Sequence, residues 1–408
     1  MQMNVFNILV NYKKDLWPIV GAFLILFSSI TGFFLLSQLF YYGAIAVCGM
    51  IIISKGGVRV GNVSVLLLII ACIISLLFNN VPSYFRAWQR LGIYIFILFM
   101  MSPLLISKEA VTFKSKLFIY IWLITSILSV GSFFSYYLGI NFFIVNEKEL
   151  ELGAGTFGGL MNHSMALGPM SALSTIFLFV LASLNKTKAK RYYYIAAFLC
   201  LGACFFSASR AAVGASVAGC IYALSCVNKN HLSKTFKVLF IILTVGAVTF
   251  PIWGGVTDFI MEKQEMRNNE FGGGFDSRTE KVVVRLEEFI SSPIVGIGFC
   301  TVNPNLDNVN RENGQIEPGS SWLAIASMTG IFGLLVMIPL CISSLKKARS
   351  IKDDFWRGAL SGMMIFFILH MMVEGYIFAP KSFLSLIFWL LISIIEGKTC
   401  YERNYRVV

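Results

Sequence analysis

Apolar stretches long enough to cross a bilayer recur along nearly the whole of this 408-residue chain, separated by polar loops. Twelve fit, near residues 17–34, 37–54, 60–79, 88–106, 116–139, 161–184, 192–208, 211–227, 236–256, 318–344, 355–373 and 380–396. A crossing takes about 20 apolar residues, and backbone polar groups in lipid have to be satisfied within their own segment, so each stretch is predicted to be a helix. Transmembrane strands would alternate in polarity over about ten residues, and runs such as Val65–Phe78 do not. The longest non-spanning stretch is 257–317, and a loop of that size in an economical chain points to function. Within it, Ser277–Ser291 has helical periodicity, with Asp276 or Ser277 as N-cap and Pro293 beyond its end. Val282, Val283, Leu286 and Ile290 fall on one face, and Arg278, Lys281 and Arg285 form a neighbouring cationic stripe.

Composition agrees: 57% hydrophobic and 13% charged residues describe a polytopic membrane protein, read as one transmembrane domain over 1–408. With both termini cytoplasmic, 22 of the 33 Lys and Arg fall on the inner face, and 15 of the 21 acidic residues on the outer. Insertion retains Lys and Arg on the cytoplasmic side, so this asymmetry sets the orientation. The net charge of +12 is thus a topology signal, and no basic module for nucleic acid accompanies it. The first span follows basic residues with no small-residue cleavage site, which reads as an uncleaved helix. Nine scattered Cys suggest buried thiols, with only Cys300 in an outer loop; there is no disulfide framework and no paired CxxC. Residues 17–54 and 192–227 each lie between basic loops of the same face and have to cross twice. This parity puts Ser209 and Arg210, in FFSASRAAVG, at the outer tip of a hairpin, where a charge calls for a partner or a function.

Candidate chemistry is sparse. Gly153–Gly158 (GAGTFG) matches the dinucleotide fingerprint by letter, but it precedes a membrane helix and lacks the βαβ context that reading needs. Asp353–Asp354 sits in the most basic cytoplasmic loop and reads as a solvated pair. No carboxylate or His spacing indicates a metal site, and no cofactor is implied. Of the three His, His231 lies among cytoplasmic Lys, His163 opens the sixth span beside Asn162, and His370 stands four residues before Glu374. An interhelical hydrogen bond is the first reading of His370, and Glu374 is a candidate base. Glu317 opens the span after the large loop, where an apolar helix mouth favours a raised carboxyl pKa; a simple acid complementing the helix dipole is the alternative. Gly319, Ser320 and Ser321 then leave backbone N–H groups for an anion. Tyr84, Phe85, Trp88, Tyr136, Tyr137, Tyr376 and Phe378 are either interfacial anchors or platforms for sugar faces.

At these residues the chain resembles the O-antigen ligase and polymerase superfamily, membrane glycosyltransferases of the GT-C type that use undecaprenyl-pyrophosphate-linked sugars. The likeness is carried by SASRAAVGA (Ser209, Arg210), by SRTEKVVVRLEEFISSPIVGIGF (Arg278, Pro293, Gly296, Gly298) and by SSWLAIASMTGIFGLL (Gly330, Gly333). GTFGGLMNHSMAL resembles a family lead-in ending at Asn162, and Arg285 to Gly296 matches an Arg-x10-Gly pattern of polymerases. The resemblance implies that Arg210 and Arg278 bind the pyrophosphate; the stripe, with Arg285 and Lys281, is either a solvated charged face or a further grip on that phosphate, and Asn162, Ser209, Ser320 and His370 are the other candidate substrate contacts. Where ligases carry a His-Asn pair at the mouth of the span after the large loop, this chain has Gly319–Ser320. That departure tilts the expectation toward a repeat-unit polymerase and leaves Glu317 as the nearest base.

The expectation is an all-α GT-C-like enzyme of the bacterial inner membrane, with its active site on the periplasmic face. It joins lipid-linked repeat units without metal and with inversion. Its partners are donor and acceptor glycans on undecaprenyl pyrophosphate, membrane lipids and a chain-length regulator, and no nucleic acid. The alternatives are a ligase that transfers polymer to lipid A core, and a lipid-linked-sugar flippase or transporter. A transporter would show inverted repeats, broken helices or midplane charges.

Overall fold

A computed structural model describes residues 15–30, 37–54, 61–142, 157–227, 276–303, 314, 316 and 319–404. Every element among them is helical: α1 (Leu16–Ser29), α2 (Ser37–Ser54), α3 (Val63–Leu77), α4 (Ala87–Met101), α5 (Lys108–Tyr137), α6 (Ser164–Leu184), α7 (Lys190–Phe206), α8 (Arg210–Val227), α9 (Asp276–Ser291), α10 (Ser321–Ser350), α11 (Asp354–His370) and α12 (Phe383–Asn404), with a 3-10 turn at Ser83–Phe85. Five are long and apolar enough to cross a membrane: α5, α6, α8, α10 and the Phe383–Glu402 stretch of α12. Shorter apolar helices lie at Leu16–Ser29, Gln38–Ser54 and Val63–Leu77. The chain is an integral membrane protein, and eleven of the twelve stretches expected to span contain a described helix. The stretch at 236–256, His231, Gly153–Thr156, Glu317 and most of the 257–317 loop lie outside the described residues.

The chain divides into two compact units: Met1–Ser37, Ile119–Asp276 and Ala348–Phe366 form the first, and Gln38–Phe118, Ser277–Lys347 and Phe367–Val408 the second. In the first, α6 is buried along most of its length. Small residues let its neighbours come close, as in membrane helix packing generally. A Cβ on Gly219 would stand 2.8 Å from the Gly362 carbonyl oxygen. Hydroxyls add cross-links: Ser171 to Ser129 at 3.0 Å, and Ser216 to the Ala172 carbonyl at 3.0 Å. The Asp353–Asp354 pair is structural here. Asp353 Oδ1 accepts the Trp356 N–H at the start of α11, and Asp354 pairs with Arg357.

The second unit is organised around two polar knots. Lys114 is buried and donates to the Ser102 carbonyl at 2.9 Å and to Ser393 Oγ at 2.9 Å, so a cation inside a helix spends its protons on neutral acceptors. At the other, Glu396 takes Lys347 Nζ at 2.7 Å and Asn62 Nδ2 at 2.9 Å, which fastens α12 to the end of α10 and the start of α3. The expectation that thiols are buried is met. All nine Cys are free of disulfides, and only Cys400 is exposed.

Helix α10 is broken at Gly330, whose backbone (φ 64°, ψ −159°) is not helical. The loop after α9 fills the break. Ile331 N–H donates to the Pro293 carbonyl and Ile297 N–H to the Ser327 carbonyl, each at 2.8 Å, while Asn79 Nδ2 donates to the Gly296 carbonyl at 2.8 Å. A Cβ on Gly296 would meet the Met328 carbonyl carbon at 2.3 Å, and one on Gly330 the Ile294 oxygen at 2.2 Å. These glycines are required because two backbones touch. The break is therefore a packed joint.

Candidate functional site

In the first unit, α7 ends at Phe206 and α8 begins at Arg210, so SASR is the predicted hairpin turn. Ala208 adopts a left-handed φ of 54°, a conformation that costs a non-glycine residue about 1–2 kcal/mol. Ser207 Oγ steadies the turn by donating to the Cys204 carbonyl at 2.7 Å. A Cβ on Gly168 would lie 2.6 Å from Ser209 Cβ, so that glycine lets the turn press against the second turn of α6. The same end of α6 carries His163 as N-cap, with Nδ1 accepting the Met165 N–H at 3.0 Å. Exposed Asn162 donates its N–H to the Ile30 carbonyl at 2.7 Å. Asn162, Ser209 and exposed Arg210 thus gather at one end of this unit, with Arg210 at a helix N-terminus, where anions are favoured. Tyr136 stacks on Phe206 with centroids 3.9 Å apart and 10° between planes, so this ring face is used by protein and not by sugar.

In the second unit, α9 is inside out. Its apolar residues Val282, Val283, Leu286 and Ile290 are exposed, Ile290 to 72%, while Arg285 and Glu288 are buried at 2% and 3%. An exposed apolar face suits a helix that lies against lipid. Arg285 departs from the expected cationic stripe. Its Nη1 donates to Glu288 Oε2 at 2.8 Å, to Ser327 Oγ at 3.1 Å and to the Thr301 carbonyl at 3.3 Å. Glu288 Oε1 in turn accepts the Asn303 N–H at 2.7 Å. Burial lowers the Arg285 pKa and the Glu288 carboxylate opposes that shift. The guanidinium ties α9 to α10 and to the following loop. Arg278 lies in the first turns of α9.

Lys281 packs against the mouth of α10, where a Cβ on Gly319 would stand 3.2 Å from Lys281 Cβ. Ser320 Oγ donates to the Met371 carbonyl at 3.1 Å. Ser321 Oγ donates to the Glu374 carbonyl at 2.7 Å and accepts the Tyr376 N–H at 3.0 Å. The Met371–Ile377 turn is therefore sewn onto the start of α10, which brings Lys281, Ser320 and Glu374 into one region. His370 is buried with Nδ1 3.4 Å from the Tyr376 hydroxyl, a contact with the turn that follows its own helix and not the interhelical bond expected. Burial, and then the Glu374 charge, push the Tyr376 phenol well above its ordinary pKa, so it stays a neutral donor.

Beside this region is a cavity of about 510 Å³. Its walls are Gln38 and Tyr42 of α2, Arg90 and Ile93 of α4, Ala324 and Met328 of α10, and the Gly375–Lys381 turn. Two of the aromatic residues singled out in the sequence, Tyr376 and Phe378, are on it. Phe378 is braced from behind by Tyr94 at 5.8 Å and Phe299 at 5.2 Å. Sequence reasoning missed Arg90 and Lys381, because the segments meeting here are remote along the chain and none carries a motif. Cys300 also lines the cavity; burial pushes its thiol up to about 12, against the lowering pull of Arg90 and Arg285.

No curated protein matches the chain. A family model described as O-antigen ligase matches residues 195–338. The matched stretch takes in the Ser207–Arg210 turn, α9, the Pro293–Gly298 loop and the break at Gly330.

Proposed function

We propose that the chain is a repeat-unit polymerase of the O-antigen ligase and polymerase superfamily, a group of membrane glycosyltransferase-like enzymes acting on lipid-linked glycans, a reading supported by the family match over residues 195–338. It works on the periplasmic face of a bacterial inner membrane, with both termini cytoplasmic. The donor is a glycan on undecaprenyl pyrophosphate; Arg278 and Lys281 are its phosphate contacts in the second unit, and Arg210 is the contact that the resemblance implies in the first, while the N–H of Ser321 is taken by the Met371 and Glu374 carbonyls. Guanidinium forks match phosphate oxygens. The acceptor hydroxyl of a second lipid-linked unit is deprotonated by Glu317 or Glu374 and attacks the anomeric carbon with inversion. The C–O bond to pyrophosphate breaks, and cations stabilise the departing charge, the term that commonly contributes most. Arg then supplies the positive charge, so metal is not required. A chain-length regulator is an expected partner.

The observation that carries polymerase over ligase is the mouth of α10. Where the family's ligases have His-Asn, this chain has Gly319–Ser320, and the Ser320 hydroxyl is engaged with Met371 and near the Leu323 N–H at 3.4 Å. The description of the matched family favours the ligase as second reading. The glycan profile of a deletion strain separates them. Core bearing a single repeat unit is the expected result. Uncapped core with accumulating lipid-linked polymer would establish a ligase instead.

A further inference from the structure

Helix α9 has three faces, where a helix on the surface of a protein in water has two. At about 100° per residue, Val282, Val283, Leu286 and Ile290 share one sector, and all four are exposed. Glu287 and Ser291 follow in the next sector and are exposed as well. The last sector holds the buried Arg285 and Glu288, with Arg285 bonded to Ser327 and to the Thr301 carbonyl. One face meets protein, one is polar and exposed, and one is apolar and exposed. A helix lying at the boundary between hydrocarbon and water satisfies all three.

The segment after α9 shows how deep this boundary is. The Pro293 carbonyl takes the Ile331 N–H at the break in α10. Lys347, held by Glu396, marks the polar end of α10. At the helical rise, Ile331 stands about 24 Å from it. Asn62 belongs to the same polar knot, and Ser75 is about 20 Å from Asn62 along α3. The Ser75 hydroxyl is bonded to the Met328 carbonyl, beside the break. Both distances are shorter than the hydrocarbon layer, about 30 Å thick, and tilt shortens them further along the membrane normal. The joint therefore falls inside the apolar layer. Its polar groups are satisfied as that setting demands. Ile331 N–H pairs with Pro293, the Ser327 carbonyl with Ile297 N–H, and the Gly296 carbonyl with both Asn79 Nδ2 and Ser292 Oγ at 2.8 Å. Ile294 is exposed at the joint, as are Ile331, Phe332 and Leu335 of α10, so apolar surface passes from α9 onto the flank of a span.

We propose that Ser292–Gly298 re-enters the bilayer, in the leaflet remote from Lys347, and that α9 lies in the surface of that leaflet. Val282, Leu286 and Ile290 then sit among acyl chains, with Glu287 and Ser291 in water. The partner of this face is bilayer lipid, identified by the continuity of the apolar surface with α10. A helix held in this plane keeps its first turns, which carry Arg278 and Lys281, at headgroup level. The placement holds whichever group transfer the chain performs.

Spin labels test it in the full-length protein in phosphatidylcholine nanodiscs. Exposed Cys400 is replaced by Ser, the other eight Cys being buried. Single Cys residues are then introduced at Leu286, Glu287, Ile290, Ser291 and Ile294, all exposed, with Leu335 on α10 as the lipid reference. Relaxation by dissolved oxygen, which concentrates in hydrocarbon, is compared with relaxation by a neutral nickel chelate, which stays in water. The oxygen-to-nickel ratio is expected to be several-fold higher at Leu286 and Ile290 than at their neighbours Glu287 and Ser291. At Ile294 it should approach the Leu335 value. Equal ratios at Leu286, Glu287, Ile290 and Ser291 would overturn the proposal by placing α9 in water. Poor access of both probes to Leu286 and Ile290 would overturn it as well, by showing that protein covers this face. Nickel reaching Ile294 as freely as Glu287 would rule out re-entry. Each position is read separately, so a variant that fails to fold leaves the contrast between neighbours measurable at the other pair.

Discussion

Arg285 Nη1 lies 2.8 Å from Glu288 Oε2, with both side chains buried one helical turn apart on α9. The pair turns the polar stripe of this helix inward and leaves the apolar stripe outside. Removing one partner of a buried pair strands the other charge, at a cost of about 3–5 kcal/mol. Arg285→Met should therefore lower the thermal midpoint in detergent sharply, and the double variant with Glu288→Leu should recover much of the loss. A single variant with unchanged stability and lost binding of lipid-linked substrate would show instead that Arg285 meets the ligand.

The joint between the Pro293–Gly298 loop and α10 makes a second prediction. Gly330→Ala introduces a Cβ 2.2 Å from the Ile294 oxygen at a left-handed φ of 64°. Strained backbone of this kind costs about 1–3 kcal/mol before the clash is counted. Gly92→Ala, with nothing within 4 Å of the new methyl, is the control and should be neutral or slightly stabilising. Thermal unfolding of the two variants in one detergent checks the contrast.

Thiol reactivity follows from burial. Cys400 is exposed and Cys300 is buried with its thiol raised from 9.0 to about 12. Maleimide at pH 8 should label Cys400 quickly and leave Cys300 untouched until the protein is unfolded. The folded thiol keeps its proton between about 9 and 12 while an unfolded one loses it, so stability should fall as pH rises through that window. Mass spectrometry of labelled peptides and a pH series of unfolding midpoints check both statements.

The proposed chemistry makes its own demands. Arg278→Ala and Arg278→Lys should each lower chain extension by about 100-fold or more, the scale of losing one preorganised donor. An active Lys variant would argue against the two-oxygen clamp. Extension should also persist in EDTA, and loss restored by magnesium would contradict charge neutralisation by Arg.

The Ser321 bond to Glu374 is made to its backbone carbonyl and survives a change of side chain. Glu374→Gln should retain stability while slowing transfer if it is the base, and Glu317→Gln should do so if that residue is. Ser321→Ala removes the donor to Glu374 and the acceptor for Tyr376, and should cost about 1–3 kcal/mol of stability. Activity assays beside unfolding curves separate the two effects.

The sequence by itself determined the helices, the SASR hairpin and the burial of the thiols, because hydrophobic runs, parity between basic loops and residue type act over a single turn or span. It also marked Gly296 and Gly330, though not their reason, since the Cβ clash exists only where loop and helix meet. The direction of α9 was beyond it. Its 3.6-residue period is the same whichever face turns inward, and in a membrane protein the apolar face need not be the buried one. The tertiary structure alone decided that Arg285 is buried against Glu288 and that Arg90, Tyr376 and Lys381 share a cavity. Contacts between segments hundreds of residues apart leave no local pattern, because the free energy that joins them comes from packing and not from chain neighbours.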